Sequence, residues 1–123
     1  DKVIKPSLEE GKIVITDRYI DSTYAYQGAG RGISKSIIDN LVSQTEIMLP
    51  DRTILLDLSP EVGLKRASTR NELDRFESEN IDFHERLRKS FLDAAGANPD
   101  RFLTVDAEQE PDKILQSVIN KLF

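Results

Sequence analysis

An α/β fold is predicted from three features of this sequence. Short continuous apolar runs stand at residues 12–17, 53–58 and 101–105. Amphipathic helical segments alternate with them, and helix-boundary residues punctuate the joins. In chain order, residues 2–10 read as the end of a helix closed by Gly11, with Pro6 at odds with a helix interior. The first strand is expected over 12–17, an apolar run that suits a strand buried on both faces, as in a parallel sheet. Residues 21–27 look helical before Gly28, Gly30 and Gly32 interrupt the pattern. Ser34 is placed to cap the next helix, whose stripe is Ile37, Ile38, Leu41 and Val42 and which should stop near Pro50. A second strand is expected over 53–58. Ser59-Pro60-Glu61 is a strong helix start, with a capping hydroxyl, a first-turn proline and an early acid, and that helix should run to about Thr69. A long helix over about 78–95 carries Phe83, Leu87 and Phe91 at i, i+4 spacing and is expected to end at Gly96 and Pro99. Residues 101–105 form the third strand. The last helix, 111–122, turns Ile114, Leu115, Val118, Ile119 and Leu122 inward. Strands joined by helices imply parallel pairing through right-handed crossovers.

Composition narrows the function. At 123 residues the chain is one domain or part of one, and its start at Asp1, in helix-like sequence, leads us to expect a piece of a longer protein. With 38% apolar and 32% charged residues it is expected to be globular and soluble. A net charge of −5 argues against broad nucleic-acid binding, which depends on neutralising backbone phosphates. No apolar run is long enough to cross a membrane as a helix, and no secretory signal is present. Disulfides and thiolate metal sites are excluded because there is no cysteine, and a cytoplasmic setting is compatible with that. The one histidine, His84, rules out a His-rich zinc site and is expected on a solvated helix face.

The chemistry concentrates where the first apolar run ends in Asp17-Arg18-Tyr19. Groups just past the carboxyl ends of parallel strands are well placed for ligands. Asp17 can hold a hydrated cation there, and the planar guanidinium of Arg18 can grip a phosphate with paired donors. The hydroxyl, amide and ring groups of Ser22, Thr23, Tyr24, Tyr26 and Gln27 suit a nucleobase and sugar. The same residues allow a plainer reading, in which Asp17 and Arg18 pair with each other or cap a helix.

Arg66, Arg70 and Arg75 form a second cluster. Arg66 and Arg70 stand four apart, so on a continuing helix two like charges share a face, mildly unfavourable unless an anion lies between them. Mobile cations of this kind suit phosphoryl transfer, where they close over the transferring group and neutralise developing charge. A solvated face balanced by Glu72, Asp74, Glu77 and Glu79 is the other reading. The glycines at 28, 30 and 32 do not match the phosphate-binding G-x-x-x-x-G-K-[ST] loop and are read as a chain reversal using positive φ.

Taken together, Asp17-Arg18-Tyr19, 21–28 (DSTYAYQG) and Gly30-Arg31-Gly32-Ile33 closely resemble the central motif of bacterial thymidylate kinases. Pro50-Asp51-Arg52-Thr53, Leu56-Asp57-Leu58, 60–64 (PEVGL), 70–77 (RNELDRFE), Asp82-Phe83-His84 and Val105-Asp106-Ala107 continue the likeness in order along essentially the whole chain.

The resemblance implies a parallel sheet of the P-loop nucleoside monophosphate kinase-like fold, with the N-terminal strands missing. Residues 1–123 would be the C-terminal part of a single domain, with a lid at about 66–77. It implies phosphorylation of thymidine monophosphate by ATP with Mg2+, in a parent that is a homodimer. Arg18 would hold the acceptor's 5′-phosphate, and Asp17 would organise the magnesium through water. Ser22, Thr23 and Gln27 would lie along thymine, with Tyr26 near the deoxyribose. Arg70 would be the lid arginine on the transferring phosphoryl group, supported at the ATP site by Arg66 and Arg75. The Asp106–Ala107 loop would pass near adenine. Ser68 departs from relatives that carry a basic residue there. The P-loop is absent, as are the earlier arginine and aromatic of the thymidylate pocket. Another nucleoside or nucleotide kinase of the same fold is the nearest alternative. A non-catalytic α/β remnant that binds an anion or a protein is the more distant one.

Overall fold

The computed structural model describes residues 2–69 and 79–123. Helix α1 spans Ile4–Glu9. Pro6 is accommodated because it occupies the third helical position, where a backbone N–H has no partner to lose. Gly11, at φ +76°, closes the helix. Its N–H reaches Leu8 O at 2.9 Å, and that of Lys12 reaches Ser7 O at 3.0 Å, the paired bonds of a Schellman cap.

Residues 12–16 do not form the expected strand. No ladder partner lies beside them among the described residues, and Ile13 and Ile15 are 85% and 90% exposed. An apolar run becomes a strand only when a neighbour takes up its N–H and C=O groups and a layer covers its side chains. Neither condition is met here.

Helix α2, Ile20–Thr23, runs directly into a π-helical segment, Tyr24–Gly30. The expected reversal by positive φ falls to one of the three glycines: Gly28 and Gly30 are helical, and Gly32 takes φ +78° between the π-helix and the helix that follows. Gly30 allows close approach instead. A Cβ there would stand 2.7 Å from Phe83 Cε2 and 3.1 Å from Leu87 Cδ2. Helix α3, Lys35–Ser43, starts after Ser34, whose side chain makes no capping bond. It stops well short of Pro50 because the Ser43 and Thr45 hydroxyls donate to the carbonyls of Asn40 and Val42, closing the last turn.

Strand β1, Thr53–Asp57, and strand β2, Phe102–Asp106, pair in parallel from Thr53↔Phe102 to Asp57↔Asp106. Between them run α4, Pro60–Thr69, and α5, Ile81–Ala97. Asn80 caps α5 by accepting from Phe83 N at 2.9 Å. The helix continues through Gly96 to Asn98, so that glycine does not end it. Phe83 and Leu87 form a small core with Ala25, flanked by Tyr26 and Phe91, which confirms the predicted stripe. Helix α6, Pro111–Leu122, has the predicted bounds, but Leu115 and Ile119 remain exposed. The outer face of β1 is bare too, at Ile54 and Leu56. His84 departs from the solvated position expected of it, since its Nε2 is buried without a hydrogen-bond partner among the described residues and its ring stands edge-on to Phe83.

Candidate functional site

Two groups of the expected residues are assembled separately. The first surrounds Arg18, which is exposed and takes φ +59°, in the left-handed region that costs a side-chain-bearing residue about 1–2 kcal/mol. The Thr16 hydroxyl donates to its carbonyl at 3.3 Å. Its guanidinium carbon lies 5.0 Å from the centroid of the Tyr26 ring, within cation–π range. Asp17 and Arg18 do not pair with each other, and among the described residues Arg18 has no ion pair. The plainer reading of these two as a mutual pair is thereby removed. Ser22, Tyr26 and Gln27 are half-buried on α2 and the π-helix, while Thr23 is exposed. π-Helical turns are uncommon and favour functional positions, and this one carries Tyr26 and Gln27.

The second group stands at the carboxyl ends of β1 and β2. Ala107 N–H extends the ladder by donating to Asp57 O at 2.8 Å. Arg66, on the last full turn of α4, donates to the carbonyls of Ala107 and Glu108 at 2.7 and 3.0 Å. The Asp106 carboxylate turns back to accept from Glu108 N at 2.8 Å, bracing the same loop. Arg66, Asp106 and Ala107 are thus brought together. Arg70 and Arg75 lie outside the described residues, as does most of the expected lid.

No hydrogen bond, ion pair or ring contact among the described residues joins the two groups. Three residues missed by the sequence analysis explain where the first group sits. The Arg101 guanidinium grips Asp21 through both nitrogens, at 2.7 and 2.9 Å, and also donates to the Thr53 hydroxyl at 2.8 Å. Both charged side chains are largely buried, 17% and 14% exposed for Arg101 and Asp21. Arg101 and Thr53 stand at the amino ends of the two strands, so the start of α2 is anchored at that end of the sheet. No local spacing rule links Asp21 to a partner 80 residues away.

A further ion pair, Arg88 Nε to Asp57 Oδ1 at 2.8 Å with Nη2 to Oδ2 at 2.9 Å, fastens α5 to the end of β1. The Arg88 hydrogen bonds hold the Asp57 carboxyl below its ordinary value. Arg86 donates to the carbonyls of Ala29 and Gly30, closing the end of the π-helix against α5. No group of three or more His, Cys, Asp or Glu side chains that could cage a metal occurs among the described residues.

The family model for thymidylate kinase matches residues 1–118. Among curated relatives, the thymidylate kinase of Maridesulfovibrio salexigens is 45% identical over 98% of this chain and 59% of its own length. That of Deinococcus radiodurans is 46% identical over 92% and 55% respectively. A thymidylate kinase of Pseudomonas fluorescens is 49% identical over 94% and 56%. The crystal structure of thymidylate kinase from Ehrlichia chaffeensis superposes on 99% of this chain and 55% of its own, with a TM-score of 0.72 and 35% identity. The chain therefore spans somewhat more than half the length of the relatives it matches. Its α/β architecture is the one that the solved relative shares. On a family match that covers nearly all of its residues, this chain belongs to the thymidylate kinase family.

Proposed function

We propose that the protein carrying this chain transfers the γ-phosphoryl group of ATP to thymidine monophosphate, giving ADP and thymidine diphosphate. The observation that carries this reading is the family match over residues 1–118, which includes the segment where Arg18 stands beside Tyr26 without an acidic partner among the described residues. A guanidinium left free of carboxylates keeps its fork for a phosphate, and Arg18 binds the acceptor's 5′-phosphate through it. Tyr26 packs near the deoxyribose, and Ser22, Thr23 and Gln27 line the thymine.

Asp17 is exposed, and its carboxylate has no hydrogen bond or ion pair among the described residues. One free carboxylate fits a Mg2+ that keeps most of its waters and is otherwise held by nucleotide phosphates. Bound there, magnesium neutralises phosphate charge. Arg66, Asp106 and Ala107 contribute to the donor-nucleotide site, and Arg70 and Arg75 supply lid cations over the phosphates. Arg70 and Arg18 act on the reacting groups themselves. The reaction is direct in-line transfer, dominated by positioning and charge neutralisation.

The parent protein is cytoplasmic and homodimeric on this reading. Among the described residues no helix is long and apolar enough to cross a membrane. Support for a dimer comes from α3, where Ile37 and Leu41 are 53% and 60% exposed. Sedimentation equilibrium of the parent should give a dimer, and monomers alone at micromolar concentration would remove that assignment.

Calorimetric titration tests the site. Arg18→Lys keeps the charge and loses the fork, so thymidine monophosphate should bind the parent protein much more weakly while ATP affinity changes little. Equal acceptor affinity in the two proteins would sink the assignment of Arg18.

A further inference from the structure

We infer that Arg86 is a positioning residue for the acceptor pocket: it caps the carboxyl end of the π-helix from α5 and so holds the Gln27 side chain where the base is read. The inference rests on the proposed role of Gln27 along the thymine. π-Helical turns are rare, and a helix end leaves its last carbonyls without N–H partners of its own. Here the carbonyl of Gln27 accepts from Ile33 N–H at 3.0 Å, and that of Gly28 from Gly32 N–H at 2.7 Å. The next two carbonyls, of Ala29 and Gly30, accept from Arg86 Nε and Nη2 at 3.2 and 3.3 Å. A guanidinium suits that place. Its planar donors reach two neighbouring oxygens at once, and its charge complements the negative end of the helix dipole.

Arg86 can serve as a fixed cap because α5 is itself seated against the π-helix. Phe83 and Leu87, on either side of Arg86 in the sequence, are 4% and 5% exposed and pack with the fully buried Ala25. Gly30 lies so close to them that a Cβ there would stand 2.7 Å from the Phe83 ring. That ring also meets Tyr26 edge-on, with 6.3 Å between centroids. The Arg86 guanidinium carbon lies 5.9 Å from the centroid of the same ring, one helical turn back along α5. The cap and its platform therefore join residues 25–33 directly to residues 83–87, and every contact named lies within this chain. Arg86 acts through the backbone of Ala29 and Gly30, not on the substrate. Gln27 stands inside the turn that those bonds close.

Arg86→Ala in the parent protein removes both bonds. Calorimetric titration should then show thymidine monophosphate affinity lowered by about tenfold, the scale of one lost charged hydrogen bond. ATP affinity should change by less than about twofold, as expected for a distant site. Equal losses for both nucleotides, or an unchanged acceptor affinity, overturn the inference. A double-mutant cycle isolates the route through Gln27. In a Gln27→Ala background, Arg86→Ala should weaken acceptor binding less than it does in wild type, and an undiminished effect overturns the inference. Hydrogen exchange without any nucleotide gives a readout that does not depend on the proposed function. The amides of Gly32 and Ile33 should exchange faster in Arg86→Ala, while those across β1 and β2 keep their wild-type rates. Unaltered exchange at Gly32 and Ile33, or equal acceleration throughout, overturns the inference even in a protein that binds no thymidine monophosphate. Failure of the wild-type parent to bind thymidine monophosphate counts against the proposed function alone. Should Arg86→Ala not fold, Arg86→Lys, which keeps the charge and loses the fork, carries the same measurements.

Discussion

Gly30 shows at the scale of one residue how the π-helix is pressed against α5. Alanine is the better helix former by about 1 kcal/mol, so propensity alone favours Gly30→Ala. The methyl, however, would meet the edge of Phe83 at 2.7 Å, and that ring is buried in the core. Overpacking of this kind costs about 1–3 kcal/mol, which exceeds the propensity gain. We expect Gly30→Ala to lower the denaturant midpoint of the parent protein. Gly96→Ala, with nothing within 4 Å of the new methyl, should leave that midpoint unchanged or raise it. Equal midpoints for Gly30→Ala and wild type would show that the approach is looser than described.

Asp57 is the second residue with a measurable consequence. Its carboxyl is held below the ordinary value chiefly by the Arg88 hydrogen bonds. A lowered carboxylate stabilises the fold above its unfolded value of about 4 and loses that stabilisation as pH falls through the folded value. The contribution is modest because the Arg88 side chain is 39% exposed and solvent screens the pair. Acid titration of stability should therefore show a shallower decline below about pH 4 in Asp57→Asn than in wild type. Parallel profiles would mean that Arg88 does not act on Asp57. Neither this pair nor Asp21–Arg101 was legible in the sequence, because both join residues far apart in the chain through folding alone.

At the scale of elements, helices were read well and strands unevenly. Helix α6 and the Asn80-to-Ala97 region carry local signals, a first-turn proline and an i, i+4 apolar stripe, that survive whatever lies around them. The segment 12–17 carries an equally clear apolar run, yet a strand is a property of two segments, and its partner is not among the described residues. On the proposed reading, a strand of the parent protein outside this chain pairs with 12–17. Hydrogen exchange on the isolated 123-residue chain should then show fast amides at 13–16, in contrast to the paired amides of β1 and β2. Protection at 13–16 would mean that the segment finds a partner within this chain. The stripe of α6 was recognised as apolar, but its burial was over-read, since Leu115 and Ile119 are exposed.

For the whole molecule, the same reasoning separates the chain from its parent. Apolar side chains are exposed at Ile13, Ile15, Ile54 and Leu56, and unpaired apolar edges invite association. We expect the isolated chain to be inactive and aggregation-prone, because it contains no G-x-x-x-x-G-K-[ST] loop to cradle ATP. A monomeric, cooperatively folding chain with kinase activity would contradict this. The catalytic reading came from the order of motifs along the sequence. The two site groups were recognisable as residues, but the Asp21–Arg101 clamp that seats the first was not, because it joins positions 80 apart in the chain.

Steady-state turnover by the parent protein, measured as ADP release across a panel of nucleoside monophosphates with ATP and magnesium, tests the central claim most directly. Thymidine monophosphate should give the highest kcat/KM, with thymidine diphosphate as product. Arg18→Ala in the same assay should lose most of that rate. A preference for a different acceptor base would move the protein to another kinase specificity within the fold, and no turnover with any acceptor would contradict the assignment altogether.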